Sequence, residues 1–452
     1  MKRWTRIVSM ALVGIMTAVT LNGCMPVDSN PGSSAQTDAG KAADQTSSSS
    51  GDEKITLRMC WWGNDARHKA TLAAIEEYQK RNPNVKIDAE YGGKEGYRQK
   101  YATQLAGGMA PDILTVDAPW VAEFYQEGDF FADLYQYKDI LDLDQFDSQF
   151  LHDYLEMEGK LTGLPAGVNS MTFTVDDRIA EEFGVDLDGP WSWEKLHDVG
   201  MKVNAANPEQ YFMVIDSMFM VTHVFKPYLS QLSNDTIIKD DYTPAFTQEQ
   251  LAQVLAYIRS LYEDKVVEPC QDADLFLQAP TTNPKWLSGD FKASACWLTS
   301  MSSDQAYPDH IKTIEYPQVE GTKNTGILVR PVQIYSIPKS SKHVEEAAKF
   351  LDFLLNDPVA AELQGFARSY PASKAALEVT AKMGIGIEAY DEAYDYDRAH
   401  AGIPENAASS NSELEQALRT MVENVAYGKD TTENIAKEGY ASVLEILSRM
   451  TR

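Results

Sequence analysis

The chain is short of cysteine, of positive charge and of any sharp catalytic signature. Four cysteines in 452 residues exclude a disulfide scaffold. Cys60, Cys270 and Cys296 show no C-x-x-C spacing, so neither a zinc knuckle nor a redox motif is supported. They read as buried free thiols, with one disulfide and a spare as the alternative. Lys and Arg number 40 against 67 Asp and Glu, a formal net charge of −27. No basic run breaks that balance, which excludes nucleic acid as a partner, because phosphate neutralisation needs a clustered cationic face. Adhesion to anionic lipid through the folded surface is disfavoured for the same reason. G-x-x-x-x-G-K-[ST], H-E-x-x-H and G-x-S-x-G are all missing, and the seven histidines are scattered. No cofactor or metal is expected. Asp142-Leu-Asp144-Gln-Phe-Asp147 is acidic, yet it lacks the third acid and the glycine of a calcium loop and reads as a solvated turn.

What is present begins with an address. Lys2, Arg3 and Arg6 precede Ile7 to Leu21, an uncharged, mainly apolar stretch of 15 residues. A spanning helix needs about 20 residues, and a signal-peptide core needs fewer. Leu21-Asn22-Gly23-Cys24 then resembles a bacterial lipobox, with Asn22 departing from the usual small residue. Cleavage before Cys24 would leave it lipidated; the alternative is an ordinary secretory signal with an incidental cysteine. From Asp28 to Glu53 no branched-chain apolar or aromatic side chain occurs, so residues 24–53 read as a lipidated Cys plus a disordered stalk. The expected location is the extracellular face of the bacterial cytoplasmic membrane, held there only by the lipid anchor.

The body has 44% hydrophobic residues over the whole chain, enough for real cores. Ile55 to Cys60 alternates like a strand, Asp65 is placed to cap a helix reaching about Arg81, and Asn82-Pro83-Asn84 stops it. Val85, Ile87, Ala89 and Tyr91 alternate again. This β-α-β opening favours a parallel sheet covered by helices. A helix over Tyr97 to Ala106 and a strand over Pro111 to Asp117 follow. Met171 to Val175 and Gln333 to Ile337 read as later strands, and His343 to Leu355 as an amphipathic helix. Ligands of open α/β sheets lie beyond the carboxyl ends of strands, where Trp61, Trp62, Asn64, Tyr91, Asp117 and Trp120 fall.

Four segments in this order carry a resemblance: WWGNDARHKATLAAIEEYQKRNPNVKI, QLAGGMAPDILTVDAPWVAEF, GKLTGLPAGVNSMTFTVDDRIAEEFGVDLDGPWSWEKLHD and YSIPKSSKHVEEAAKFLDFLLNDPVAA. Together they make residues 54–452 similar to the family 1 extracellular solute-binding proteins of bacterial carbohydrate ABC transporters, relatives of the maltose-binding protein. The resemblance implies an α/β, two-lobed periplasmic-binding-protein-like fold (type II), with the lobes joined by a multi-crossing hinge. By analogy, 54–168 and 317–368 form one lobe, and 169–316 and 369–452 the other. It also implies a monomer that captures an oligosaccharide by lobe closure and delivers it to the membrane permease subunits of an ABC transporter, with no chemistry on the ligand.

Sugars offer apolar CH faces and rims of hydroxyls, so their sites need aromatic platforms and side chains that both donate and accept. Trp61 and Trp62 adjoin at a strand end, where one is able to stack while its neighbour packs inward; two core tryptophans are the alternative. Asn64 is either a ligand contact or a helix cap. Asp117 and Trp120 are placed as ligand residues at the end of the third strand. The family resemblance adds Asn169, after the first crossing, and Trp297, at a second-lobe position where relatives place a stacking aromatic. Arg368 and Tyr370 sit at the third crossing, with a structural ion pair as the alternative for Arg368. Trp191 and Trp193 are expected to anchor a helix start. A uronate ligand stays open, because Lys94, Arg98 or Arg368 is able to pair with it.

Two other functions compete. A secreted glycoside hydrolase needs two carboxylates flanking one sugar bond, but the opening does not continue as eight regular repeats, which disfavours a barrel of that class. A sugar-binding surface sensor not coupled to transport would use the same fold.

Overall fold

The computed structural model describes residues 54–298, 309–386, 388–406 and 408–450. The expected signal peptide, Cys24 and the stalk lie outside the described residues.

The opening folds as its periodicity dictates. Strand β1 (Ile55–Trp62), helix α1 (Asp65–Arg81) and strand β2 (Val85–Gly92) make the β-α-β unit, β2 running parallel to β1 with Val85 opposite Ile55. The cap differs from the sequence expectation. Asn64 Oδ1 accepts the Arg67 backbone N–H at 3.0 Å, and Asp65 is the first helical residue, its charge favourable at the helix N-terminus. Helix α2 (Tyr97–Ala106) follows, then β3 (Ile113–Val116), parallel to β1 on its other side, and helix α3 (Ala118–Gly128).

The remaining strands are β4 (Glu156–Met157), β5 (Lys160–Leu161), β6 (Leu164–Asp176), β7 (Met213–Val214), β8 (Ala293–Trp297), β9 (Ile311–Ile314), β10 (Val329–Ser336) and β11 (Tyr370–Pro371). β4 and β5 pair only with each other; the rest form one sheet in the order β2-β1-β3-β10-β6-β8-β7, with β9 and β11 also on β6. β6 holds the molecule together. Its first half pairs with β10 and β11, its second half with β8 and β9. Because nearly every residue of β6 is buried on one face or the other, it shows no polar alternation.

Two large hydrophobic cores result. Leu57, Ile75, Ile113, Leu164, Ile334 and Leu351 belong to the first; Phe173, Trp193, Val254, Tyr316, Leu328 and Val443 belong to the second. β6 leaves the first core at Leu164 and is in the second by Val168, while β10 runs back from Val329 to Ile334. Tyr316, Ile327 and Leu328 are still buried in the second core, and the antiparallel pairing of β10 on β6 makes the return. At the third passage β11 presses on β6 so closely that a Cβ at Gly167 would meet the carbonyl oxygens of Arg368 and Tyr370 at 2.8 Å. Ser192 caps the helix Trp193–Ala206, and Trp193, fully buried, donates from Nε1 to Gln231 Oε1 at 2.8 Å.

Cys60, Cys270 and Cys296 are buried, and Cys60 and Cys270 are free thiols. Burial pushes the Cys60 thiol up to about 12 and that of Cys270 to about 11, so neither is a thiolate at neutral pH. Among the described residues no helix is long and apolar enough to cross a membrane, and no group of three or more His, Cys, Asp or Glu side chains is placed to hold a metal.

Candidate functional site

A cleft of about 730 Å³ is lined by residues flanking both cores: Lys94, Asp117 and Trp120 on one rim, Phe219, Thr222 and Trp297 on the other, with Leu328 and Arg330 from the β10 passage. On the first rim β3 stops at Val116, and Asp117 turns the chain into α3. Its Oδ1 accepts the Ala118 N–H at 3.1 Å, and Pro119 in the first helical turn has no N–H to satisfy. Trp120 then projects one turn into the helix. Behind it lie Trp62, with ring centroids 5.3 Å apart, and Tyr97, 4.8 Å from Trp62. The Lys94 ammonium sits 5.4 Å from the Trp120 ring and 5.8 Å from that of Trp62, and donates to Asp117 Oδ2 at 2.5 Å. Burial alone would push the Asp117 carboxyl up; the Lys94 and Arg330 cations outweigh it and hold it below the usual carboxylate range.

The second rim is built differently. β8 ends on Trp297, opposite Met171 of β6. His223 stands behind it, ring centroids 5.4 Å apart and near perpendicular, inside the π-helical turn Val221–Phe225. Its ring nitrogens face the carbonyl oxygens of Phe219 at 3.3 Å and Cys296 at 3.1 Å. Burial pushes its pKa down to about 4, so the imidazole is neutral and holds one N–H for those two acceptors. The Arg330 guanidinium lies over Trp297, its carbon 4.3 Å from the ring centroid. Elsewhere in the cleft the cations are compensated. Lys226, buried, pairs with Glu405 at 2.5 Å and Glu415 at 3.4 Å, and Arg98 pairs with Glu123 at 2.6 Å and Glu127 at 2.9 Å.

Of the residues singled out by sequence, Asp117, Trp120 and Trp297 line this cleft together. Trp62 forms the layer beneath Trp120. Trp61 points to the other face of β1, fully buried, its Nε1 donating to His68 Nδ1 at 3.1 Å and its ring stacked 5.0 Å from Tyr91. Strand alternation thus separates the two tryptophans, and both are buried. Asn64 is occupied as the α1 cap. Asn169 is buried in the middle of β6, in register with Arg330 of β10. Arg368 is buried away from the cleft, donating to Gln333 Oε1 at 2.9 Å and Thr71 Oγ1 at 2.5 Å; in place of an ion pair it makes two neutral hydrogen bonds. Tyr370 donates to Asp391 Oδ1 at 2.7 Å and stacks 4.2 Å from Tyr394, tying β11 to the helix Glu388–Ala399.

Arg330, Lys226, Phe219 and Thr222 were not singled out by sequence. Arg330 stands in Val329-Arg330-Pro331-Val332, where a proline inside the apolar run hid the start of β10. Lys226 and Thr222 sit on a helical turn whose ladder shifts to i→i+5, which a 3.6-residue period does not reveal.

Comparison with known proteins gives a consistent answer. The family described as "Bacterial extracellular solute-binding protein" matches residues 73–388. A periplasmic solute-binding protein from Pectobacterium atrosepticum superposes with a TM-score of 0.79 at 27% identity, covering 88% of this chain and all of that one. A periplasmic oligogalacturonide-binding protein from Yersinia enterocolitica, in complex with saturated digalacturonic acid, superposes with a TM-score of 0.78 at 26% identity over 88% of this chain and 100% of its own. The arabinooligosaccharide-binding protein of Bacillus subtilis is 24% identical over 340 residues, 70% of this chain and 72% of that relative. The putative binding proteins of Brucella abortus match over 195 residues, and the chain spans just under half, 46%, of their length. These solved relatives share the two-lobed α/β architecture, and the chain belongs to the bacterial extracellular solute-binding protein family.

Proposed function

We propose that the protein captures an oligosaccharide in the cleft between its two lobes and delivers it to the permease of an ABC transporter, with no chemical step. The observation that carries this reading is the pairing of Trp120 and Trp297 on opposite rims of one 730 Å³ cleft. Two aromatic surfaces facing a space of that size match the CH faces of a short sugar chain, and Asp117, Thr222 and Gln278 supply acceptors and donors for hydroxyls. The relatives add support, since one binds arabinooligosaccharide and another holds digalacturonic acid.

On this reading the lobes are 54–168 with the β10 return and the helices after it, and the remainder, closing about β6, β10 and β11. Trp62 and Asn169 act from behind the cleft, while Trp61, Asn64, Arg368 and Tyr370 keep structural positions. Residues 1–23 are a lipoprotein signal peptide whose cleavage leaves a lipidated Cys24, and the product is a monomer tethered to the outer face of the cytoplasmic membrane.

Calorimetric titration against neutral and uronic oligosaccharides tests the reading. At least one saturable binder is expected, recovered uncleaved by chromatography after long incubation. Silence across the panel contradicts sugar capture, and turnover contradicts the absence of chemistry.

A further inference from the structure

The cations of the cleft are not equivalent. Lys94, Arg98 and Lys226 are each held by carboxylates at 2.5 to 2.9 Å. Among the described residues, the Arg330 guanidinium makes no ion pair and no hydrogen bond, although its charge is felt at Asp117; its Nε is buried without an acceptor, and its carbon lies over the Trp297 ring, 4.3 Å from the centroid. A guanidinium cannot shed its charge; its Nε is closed off, and what the open cleft can satisfy is the terminal N–H pair, which donates to nothing among the described residues. Arg330 also lines both the main cleft and an adjoining cavity of about 280 Å³, so it stands where a bound chain of sugars would pass from one to the other.

We infer that Arg330 is a specificity-determining residue that selects an acidic oligosaccharide, its N–H fork receiving the carboxylate of a uronic acid unit. The inference rests on the sugar-capture reading above and narrows its substrate class. Guanidinium and carboxylate match as two parallel charge-assisted hydrogen bonds, stronger and more directional than any bond to a neutral hydroxymethyl at the same ring carbon. Trp297 lies beneath that guanidinium. The earlier candidates for this role are otherwise engaged: Lys94 and Arg98 by carboxylates, Arg368 by Thr71 and Gln333 behind the cleft.

The test is calorimetry on the full chain with matched pairs: di- and trigalacturonate beside the corresponding neutral galactose oligomers, and glucuronate- and mannuronate-containing oligomers beside their neutral counterparts. A uronic member is expected to bind about tenfold or more tighter than its neutral partner. Arg330→Met should weaken the acid about tenfold while leaving any neutral binding within about threefold, with Arg330→Lys in between because it keeps charge and loses the fork. Equal or tighter binding of the neutral partner, or an unchanged preference in Arg330→Met, overturns the inference. Binding of neutral oligomers alone overturns it while sugar capture stands; silence of every sugar overturns both. Should the variants fail to fold, the wild type decides. Raising salt from about 0.05 to 0.5 M should weaken uronate binding several-fold and leave neutral binding unchanged, and insensitivity of the uronate complex counts against Arg330.

Discussion

The two rims of the cleft use the same parts with opposite outcomes. Each places a tryptophan near a strand end and a cation over its ring, Lys94 on Trp120 and Arg330 on Trp297. On the first rim the cation is closed on Asp117, and the tryptophan is backed by Trp62 and Tyr97, an arrangement complete without ligand. On the second rim the backing is one neutral histidine, and among the described residues the guanidinium has no acceptor. What separates the two rims is therefore the compensation of the cation. The aromatic ring alone does not distinguish them.

That contrast breaks most visibly behind the first rim. Trp62→Ala should cost about 3–5 kcal/mol of stability through the buried ring it deletes, read by denaturant unfolding; a loss under about 1 kcal/mol would mean Trp120 is not held from behind. Next comes the buried cation near the second rim. Lys226→Met leaves Glu405 and Glu415 facing one another without it, and a loss of about 2–3 kcal/mol at neutral pH is expected. Burial lowers the Lys226 pKa, but Glu405 and Glu415 outweigh it and hold the folded value above the unfolded one, so the deficit should be full below about pH 10 and fade as pH rises through the raised value; a pH-independent deficit would point to lost packing instead. Smallest is Asp117→Asn, about 1 kcal/mol. The folded pKa of Asp117 lies below its unfolded value, so the contribution is fully present above about pH 4 and is lost as pH falls through the lowered value. Wild type and variant should thus converge in acid; a gap that widens there contradicts the Lys94–Asp117 account.

Much of the first lobe was legible in the sequence because its signals are local. Alternation over β1 and β2, the Asn82-Pro83 stop and the glycines after α2 each act within a few residues. Asp117 and Trp120 were placed at the cleft by the strand end before them, a local feature, and Trp297 by the resemblance of the whole chain's order of segments to a known family. The passages between lobes were harder to place. β6 is buried at all but one of its 13 residues, so its sequence does not alternate, and the return through β10 depends on pairing with a strand more than 150 residues earlier. Arg330 escaped notice because its meaning is relational. Its place in the account comes from its lack of an ion pair among the described residues and from Trp297 beneath it, and neither is written near Arg330 in the chain.

The most direct test of the account is a parallel calorimetric titration of wild type and Trp297→Ala with the tightest-binding oligosaccharide, beside thermal unfolding of both. Trp297 is only partly buried at the cleft, so the account predicts affinity lower by about 2 kcal/mol, roughly thirtyfold, with nearly unchanged unfolding. Equal affinity in the two proteins would contradict the central claim that the Trp297 rim holds the ligand.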